Sequence, residues 1–261
     1  MIALDFGIGG IEAELWRVVF LMTRLGAALF AVPFFGASSV PTAVRVSFTG
    51  ALAIFLSIWM PAIATPPALL SAAGIMAIMG EVLVGLAIGF VLQLAFAAPT
   101  IAAEVIGGGM GMSMATSADP QSGGTTTAFG QYFSIVLTLI FLATGAHLHW
   151  IALLAESYQA FPPGDTWLGA ARFEIIAGFA GTLFETAIRI ALPVVLILFL
   201  VQLLTGILSR SAPSLNLMAL GLPAGVLAGV AGLIIATPLI VDQLTGLVEE
   251  GLVFSEMVIA R

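Results

Sequence analysis

The run Val82–Ala103, which reads VLVGLAIGFVLQLAFAAPTIAA, decides the class of this protein because its 22 residues include no charged side chain. An α-helix needs about 20 predominantly apolar residues to cross the hydrocarbon core of a bilayer. Backbone groups in lipid must be paired within the structure, and the run lacks the alternation of a membrane β-strand. The stretch therefore predicts a membrane-spanning α-helix.

Five further charge-free runs lie along the chain: Leu25–Val44, Val46–Gly80, Pro120–Ala155, Ile190–Ser209 and Ser211–Val241. Proline and glycine residues divide the longer runs. We predict an all-α integral membrane protein, with one membrane domain over residues 1–261 and helical segments arranged as long, partly broken hairpins. The six predicted helices are Leu15–Phe35, Val44–Ile63, Leu69–Ala97, Thr126–Ser157, Glu174–Leu208 and Leu217–Leu247.

The composition excludes several classes of function. Hydrophobic residues make up 61% of the chain and charged residues 8%, whereas soluble domains carry about 25% charged residues. The sequence has no lysine, which excludes a P-loop and a Schiff-base enzyme, and no cysteine, which excludes disulfides and thiolate metal sites. The sequence has no basic patch of the kind that binds nucleic acid, and no motif indicates a cofactor. The expected surroundings are membrane lipid and other apolar protein.

The segment Gly107–Gly124, GGGMGMSMATSADPQSGG, differs from the rest of the chain. Its six glycines disfavour a helix, since each interior glycine costs about 1 kcal/mol relative to alanine. Three alternating methionines, Met110, Met112 and Met114, are too apolar for water. We predict irregular backbone held inside protein or lining a cavity. Flexible thioethers could seal around a passing chain, but the segment could equally be a hydrophobic linker between helices.

Two other patterns predict contacts within the membrane. Glu185 and Arg189 are four residues apart with the acid first, the favourable order for an ion pair on one helix. We interpret the pair as neutralisation at a subunit contact, because a proton relay would need carboxylates repeated along one face. Small-residue steps predict close helix packing at five glycines: Gly85, Gly89, Gly221, Gly225 and Gly229.

The sequence has no complete catalytic or metal-binding motif, and we predict that the protein is not an enzyme. His147, His149 and Glu156 could be metal ligands, but the two histidines point to different sides of a helix and HExxH is absent. Ser113 lies in an incomplete GxSxG pattern without a base. A small-solute transporter is a further alternative, although the two halves of the chain do not match each other.

Several short motifs occur in an order that is specific to one family. They are Asp119–Gly123 (DPQSG) before Gly130-Gln131, Ala191–Val194 (ALPV) before Ser209–Asn216 (SRSAPSLN) and Gly221-Leu222-Pro223, and Ser39-Val40-Pro41 with Arg45. With these motifs the chain, from Arg24 to Leu244, resembles the FliR family of flagellar biosynthetic proteins. That family is shared with the matching subunit of virulence type III secretion systems.

The resemblance implies a function in protein export. FliR-like proteins join FliP and FliQ in a gate that passes unfolded flagellar subunits across the bacterial inner membrane at the flagellar basal body, and FlhB is an expected further partner. It also implies a FliP-like part over residues 1–165 and a FliQ-like part over residues 166–261. Such gates stand partly out of the bilayer, so each hydrophobic segment need not cross lipid.

The resemblance also implies which residues matter. The segment Gly107–Ser122 corresponds to the plug that closes the family's pore at rest, with candidate residues Gly107, Gly108, Gly109, Met110, Gly111, Met112, Met114, Asp119, Pro120 and Gln121. Its methionines would occlude the pore and its glycines would let the loop swing aside. Arg210, Pro213 and Asn216 would shape the last helical hairpin. The family commonly has phenylalanine where this chain has Met112 and Met114.

Overall fold

Helices account for nearly all of the chain that a computed structural model describes, namely residues 8–36, 39–60, 63, 71–112, 128–163, 169–211 and 217–260. An apolar chain forms helices because each helix pairs its own backbone N–H and C=O groups. The described residues form eight: α1 (Ile8–Ala31), α2 (Pro33–Gly36), α3 (Thr42–Trp59), α4 (Ala72–Gly109), α5 (Ala128–Ala143), α6 (Ala146–Ala160), α7 (Ala170–Ser211) and α8 (Leu217–Ile259).

The all-α membrane class predicted from the sequence is confirmed. Within the described residues, α3, α4, α7 and α8 are long and apolar enough to cross a membrane, and α5 with α6 is a fifth candidate if the two form one broken span. Helix α1 is not among these helices because it carries four charged residues, Glu12, Glu14, Arg17 and Arg24. Six hydrophobic segments therefore yield four or five candidate spans.

Proline and glycine break two of the predicted helices. The predicted helix Leu15–Phe35 ends at Ala31, because Pro33 lacks an N–H and disfavours helical backbone in the residue before it. The predicted helix Thr126–Ser157 was wrong as one element. It stops at Ala143 and restarts at Ala146, and between them Gly145 adopts a left-handed φ of +73°, which other residues rarely adopt.

Helix α4 is longer than the sequence predicted. It continues past Ala97, through Pro99, and includes Gly107, Gly108 and Gly109. The prediction that irregular backbone begins at Gly107 was therefore wrong for these three glycines. Their low helix propensity is outweighed because, away from water, the helix is the nearest source of backbone hydrogen-bond partners.

The described residues cluster into two compact units, each built from separated stretches of chain. The first unit draws on residues 1–94, 145–179 and 251–261, and the second on residues 95–144 and 180–250. The predicted division at residue 165 separates a FliP-like part from a FliQ-like part by their resemblance to other subunits. The two units are defined by contacts within this chain, so that division stays a prediction.

In the first unit, α1 packs against α3 and α4. A Cβ on Gly26 of α1 would lie 3.6 Å from Thr49 of α3, which is an ordinary van der Waals contact. The approach of α4 is closer, because a Cβ on Gly85 or Gly89 would overlap the backbone oxygens of Arg24 or Ala28. The buried side chains around these contacts include Phe20, Leu21, Leu25, Leu29, Val84, Ile88 and Leu92.

In the second unit, aromatic and aliphatic side chains of α5 are buried beside the C-terminal half of α4. The rings of Phe96 and Phe141 meet edge to face, with centroids 6.0 Å apart. Oγ1 of Thr100 lies 3.5 Å from Oγ of Ser134, so the two helices also share a polar contact. Buried residues of α7 and α8 in this unit include Val194, Leu198, Ile240 and Leu244.

We predict that Gly89→Ala destabilises the protein. Its Cβ would meet the carbonyl oxygen of Ala28, and backbone atoms can yield only if α1 shifts. Overpacking of this kind costs about 1–3 kcal/mol. The expected result is a lower unfolding temperature of the purified protein in detergent. Gly178→Ala is the matched control, because no described atom lies within 4 Å of its Cβ position. Equal unfolding temperatures for the two variants would contradict the packing described.

Candidate functional site

The C-terminal end of α4 is closed by a Schellman motif built from the glycine-rich segment. The N–H of Met112 donates to the carbonyl of Gly107, and the N–H of Gly111 donates to the carbonyl of Gly108, both at 3.0 Å. Gly111 has a φ of +82°, the left-handed conformation that this motif requires just after a helix. The glycine run therefore ends a helix at a defined residue, and Met112 leaves it in a fixed direction.

Met110 lies in this turn, and its side chain is buried against α8. Only 1% of its surface is exposed. A Cβ placed on Gly229 would overlap the Met110 side chain, with Cγ 2.6 Å and Sδ 2.8 Å away, and a Cβ on Gly225 would lie 3.3 Å from the Met110 carbonyl oxygen. We call the surface formed by Gly225 and Gly229 the glycine notch. It exists because neither residue has a side chain.

Helix α7 supports the same turn from another direction. Nε2 of Gln202 donates a hydrogen bond of 2.9 Å to the carbonyl oxygen of Gly109, one of the carbonyls that the end of α4 leaves without a helical partner. A Cβ on Gly109 would lie 3.0 Å from Cδ1 of Leu198, so this glycine also permits a close approach. The end of α4 is thus held by α7 through a polar contact and by α8 through an apolar one.

The structure brings together only some of the predicted site residues. Met110 contacts the glycine notch, Gly109 lies beside Leu198 of α7, and Gly111 lies beside Leu222 of α8. A Cβ on Gly221 or Gly108, in contrast, would have no described atom within 4 Å. Met112 is partly exposed, and Arg210 is exposed in the last turn of α7. Seven residues of the predicted plug and last hairpin lie outside the described part of the chain, namely Met114, Asp119, Pro120, Gln121, Ser122, Pro213 and Asn216.

The predicted ion pair on α7 is present and lies on an open face. Nη2 of Arg189 donates to Oε1 of Glu185, and about 60% of each side chain is exposed, 62% and 61% respectively. The surrounding exposed residues on that helix are apolar, namely Phe184, Ile188 and Leu192. Charges in this position face protein or water rather than lipid.

Sequence reasoning missed a buried ion pair that joins two helices. Arg24 of α1 is fully buried, and its Nε and Nη2 donate to the two carboxylate oxygens of Glu81 in α4, each at 2.8 Å. Its remaining contacts are to α6 and the turn after it: Ser157 Oγ at 3.1 Å and the Phe161 carbonyl at 2.7 Å. The guanidinium also lies 4.1 Å from the centre of the Tyr158 ring.

No spacing rule could have joined Arg24 to Glu81, because they are 57 residues apart on different helices. The available signal was that each is an isolated charge bordering a long apolar run. A charge in that position needs a partner, and these two have opposite signs. The cluster ties α1, α4 and α6 together in the first unit.

The candidate metal ligands are not assembled. Nε2 of His149 lies 3.0 Å from Oε1 of Glu256, on α8, and not against Glu156. Within the described ranges, no three His, Asp or Glu side chains are placed to hold a metal ion.

Comparison with known proteins identifies the family. The family described as "Bacterial export proteins, family 1" matches residues 15–251. The chain belongs to this family. Its relatives include the flagellar biosynthetic protein FliR of Pectobacterium carotovorum, 30% identical over 83% of this chain and 82% of that protein. FliR of Bacillus subtilis is 33% identical to this chain, over 77% of this chain and 78% of the length of that protein.

The resemblance to FliR that the motifs predicted is therefore confirmed, and the match begins before Arg24 and ends beyond Leu244. FliR of Escherichia coli K12 is 29% identical over 84% of this chain, so the likeness extends across distant bacteria. Membership places this protein among bacterial export components with membrane-spanning helices.

We predict that Glu81→Gln strongly destabilises this FliR-family chain, because it leaves the Arg24 charge buried without a counter-ion. Removing one partner of a buried ion pair costs about 3–5 kcal/mol. The expected readout is a marked loss of protein from isolated membranes, measured by immunoblot. Glu14→Gln breaks an exposed pair with Arg17 worth about 0–1 kcal/mol and should leave the amount unchanged. Similar losses for both variants would contradict the assigned role of the buried cluster.

Proposed function

We propose that this protein is a subunit of the flagellar protein export gate and forms, with FliP and FliQ, the channel through which unfolded flagellar proteins cross the inner membrane at the basal body. Family membership supports a role in export, and the matched relatives carry flagellar names. The proposal of an assembly rests mainly on the length of the apolar helices. Helices this long need protein partners as well as lipid to cover their surfaces.

Helices α7 and α8 contain 42 and 43 residues. At a rise of 1.5 Å per residue they are about 63 and 65 Å long, against roughly 40–45 Å for a whole bilayer including its headgroups. A tilt of 40°, the upper end of the usual range, still leaves a vertical extent of about 48 Å. These helices are therefore longer than the membrane that would have to cover them.

Exposed apolar side chains continue along most of that length. On α7 they run from Phe173 to Leu208, and on α8 from Leu222 to Val253. Part of this surface would meet water if the chain stood alone, which is unfavourable for so large an apolar area. Sister subunits that bury it would remove the cost, and the exposed Glu185–Arg189 pair suits a polar contact with one of them.

Within this gate, residues 1–165 would take a FliP-like position and residues 166–261 a FliQ-like position, with FlhB as a further partner. The segment Gly107–Ser122 would act as the plug that closes the channel at rest. Support for the plug comes from the end of α4, where the Schellman motif, Gln202 and the glycine notch fix the point from which the loop departs.

We predict that a tagged copy of the chain, isolated from native membranes in mild detergent, brings FliP and FliQ with it. Mass spectrometry identifies the bound proteins, and an untagged strain is the control. Recovery with subunits of a virulence secretion system would reassign the gate to an injection device. A stable chain without any partner that catalyses solute uptake in vesicles would instead favour the transporter alternative.

We predict that deleting residues 113–122 increases the permeability of the membrane to small ions. The deletion removes the loop but keeps the helix end and its contacts, so FliP and FliQ should still co-isolate. Growth in high salt and vesicle conductance report the leak, with cells lacking the whole subunit as the assembly-negative control. An assembled gate that stays tight after this deletion contradicts the plug role.

A further inference from the structure

We propose that the face of α8 that carries Asp242 binds a membrane helix of a sister export subunit, and that this helix pairs a lysine or arginine with the Asp242 carboxylate. The proposal rests on the proposed gate function and deepens it, because it names the residue that the sister subunit meets and the charge that it brings.

Asp242 is an exposed carboxylate without a counter-ion on a helix long enough to span a membrane. It directly follows the charge-free run Ser211–Val241. Among the residues that the structure describes, none forms an ion pair or a side-chain hydrogen bond with it. A charge in such a helix is costly in lipid and usually faces protein or water. A counter-ion therefore has to come from outside the described residues.

The same level of the α7–α8 hairpin carries the exposed Glu185–Arg189 pair. The two helices run antiparallel, because only five residues separate the end of α7 from the start of α8. A Cβ on Gly232 of α8 would lie 3.3 Å from Cγ1 of Val194 of α7, which fixes their register. Glu185 lies nine residues before Val194, or about 14 Å along the helix axis. Asp242 lies ten residues after Gly232, or about 15 Å, so the two acids are at nearly the same level. Arg189 neutralises Glu185, and Asp242 leaves this level with an excess negative charge.

The surface around Asp242 is suited to a helix. Ile235 and Leu239 precede Asp242 by seven and three residues, so they share its face of α8. These two side chains are 72% and 46% exposed. Gly246 follows Asp242 by four residues on the same face, and a Cβ there would have no described atom within 4 Å. A helix that packs along this face can approach closely at the glycine and cover the apolar side chains.

A sister helix with one cation satisfies this surface better than the other available partners. Lipid chains cover Ile235 and Leu239 but leave the carboxylate without a hydrogen-bond donor. Water solvates the carboxylate but leaves the apolar side chains uncovered. A second copy of this chain brings the same excess negative charge to the contact, and like charges oppose association. A lysine or arginine on an apolar helix supplies the missing charge while the helix covers the rest.

The first test is Asp242→Asn in a tagged copy of the complete chain. The amide keeps the shape of the side chain and removes its charge, so the cation of the sister helix loses its partner. We expect the recovery of FliP and FliQ per tagged chain to fall by at least about tenfold, because an interfacial charge left unpaired is strongly unfavourable. Asp242→Glu keeps the charge and should retain most of the recovery.

Glu250→Gln is the matched control. Glu250 is also an exposed carboxylate of α8, but it lies about 80° around the helix from Asp242 and beside a second acid, Glu249. This variant should bring FliP and FliQ at the wild-type ratio. Wild-type recovery by Asp242→Asn overturns the inference, and so does an equal loss from Glu250→Gln. A wild-type chain that brings neither subunit overturns the proposed function instead.

The second test leaves Asp242 intact and therefore does not depend on the stability of a charge variant. The photo-crosslinker p-benzoylphenylalanine replaces Leu239, which is apolar and exposed beside Asp242. Illumination of membranes and mass spectrometry should identify a helix of a sister subunit with a lysine or arginine within about one turn of the attachment point. The same crosslinker at Glu250 is the control and should not give this product.

Attachment only to lipid, to a second copy of the chain, or to a helix without a nearby cation overturns the inference, as does the absence of any product. Exchange of the two charges then tests the pairing itself. Asp242→Lys alone should lose FliP and FliQ, and changing the identified cation to aspartate in the same strain should restore them. Failure of the exchange to restore recovery contradicts a direct pair.

Discussion

Backbone hydrogen bonding in an apolar environment is the constraint on which the rest of this structure depends. With 61% hydrophobic residues, the chain has few polar side chains to satisfy N–H and C=O groups outside helices. Helix α4 accordingly runs through Pro99 and three consecutive glycines before it ends. When it does end, a Schellman motif and the Gln202 amide pair the freed carbonyls. In such surroundings a helix ends only where other groups supply hydrogen bonds to its last carbonyl oxygens.

Glycine serves two different contacts in this chain, and the difference lies in what faces it. Gly85 and Gly89 lie against backbone oxygens of α1, so they set the distance between two helices and leave no room for adjustment. Gly229 lies against the flexible side chain of Met110, so a side chain, and not a helix, would yield to a substitution there. The same small-residue pattern thus supports a contact with helix backbone in one unit and a contact with a side chain in the other.

Much of the fold could be predicted from the sequence because hydropathy acts locally. The charge-free parts of α3, α7 and α8 were recognisable from their length, and the order of short motifs identified the family. Local reasoning failed where a single backbone angle or a distant partner decides. Gly145 could have continued a helix but adopts positive φ, and Arg24 finds Glu81 across 57 residues.

For the candidate site, too, the sequence predicts local features but not the contacts between distant segments. The sequence flagged Met110 and the glycines of α8 as separate features, since nothing in spacing says that a side chain from one helix end will lie on another helix. Their meeting depends on how α4 and α8 pack in the second unit, which is a property of the tertiary structure. The sequence therefore supplies the parts of the site, and packing decides that Met110 is the one turned inward.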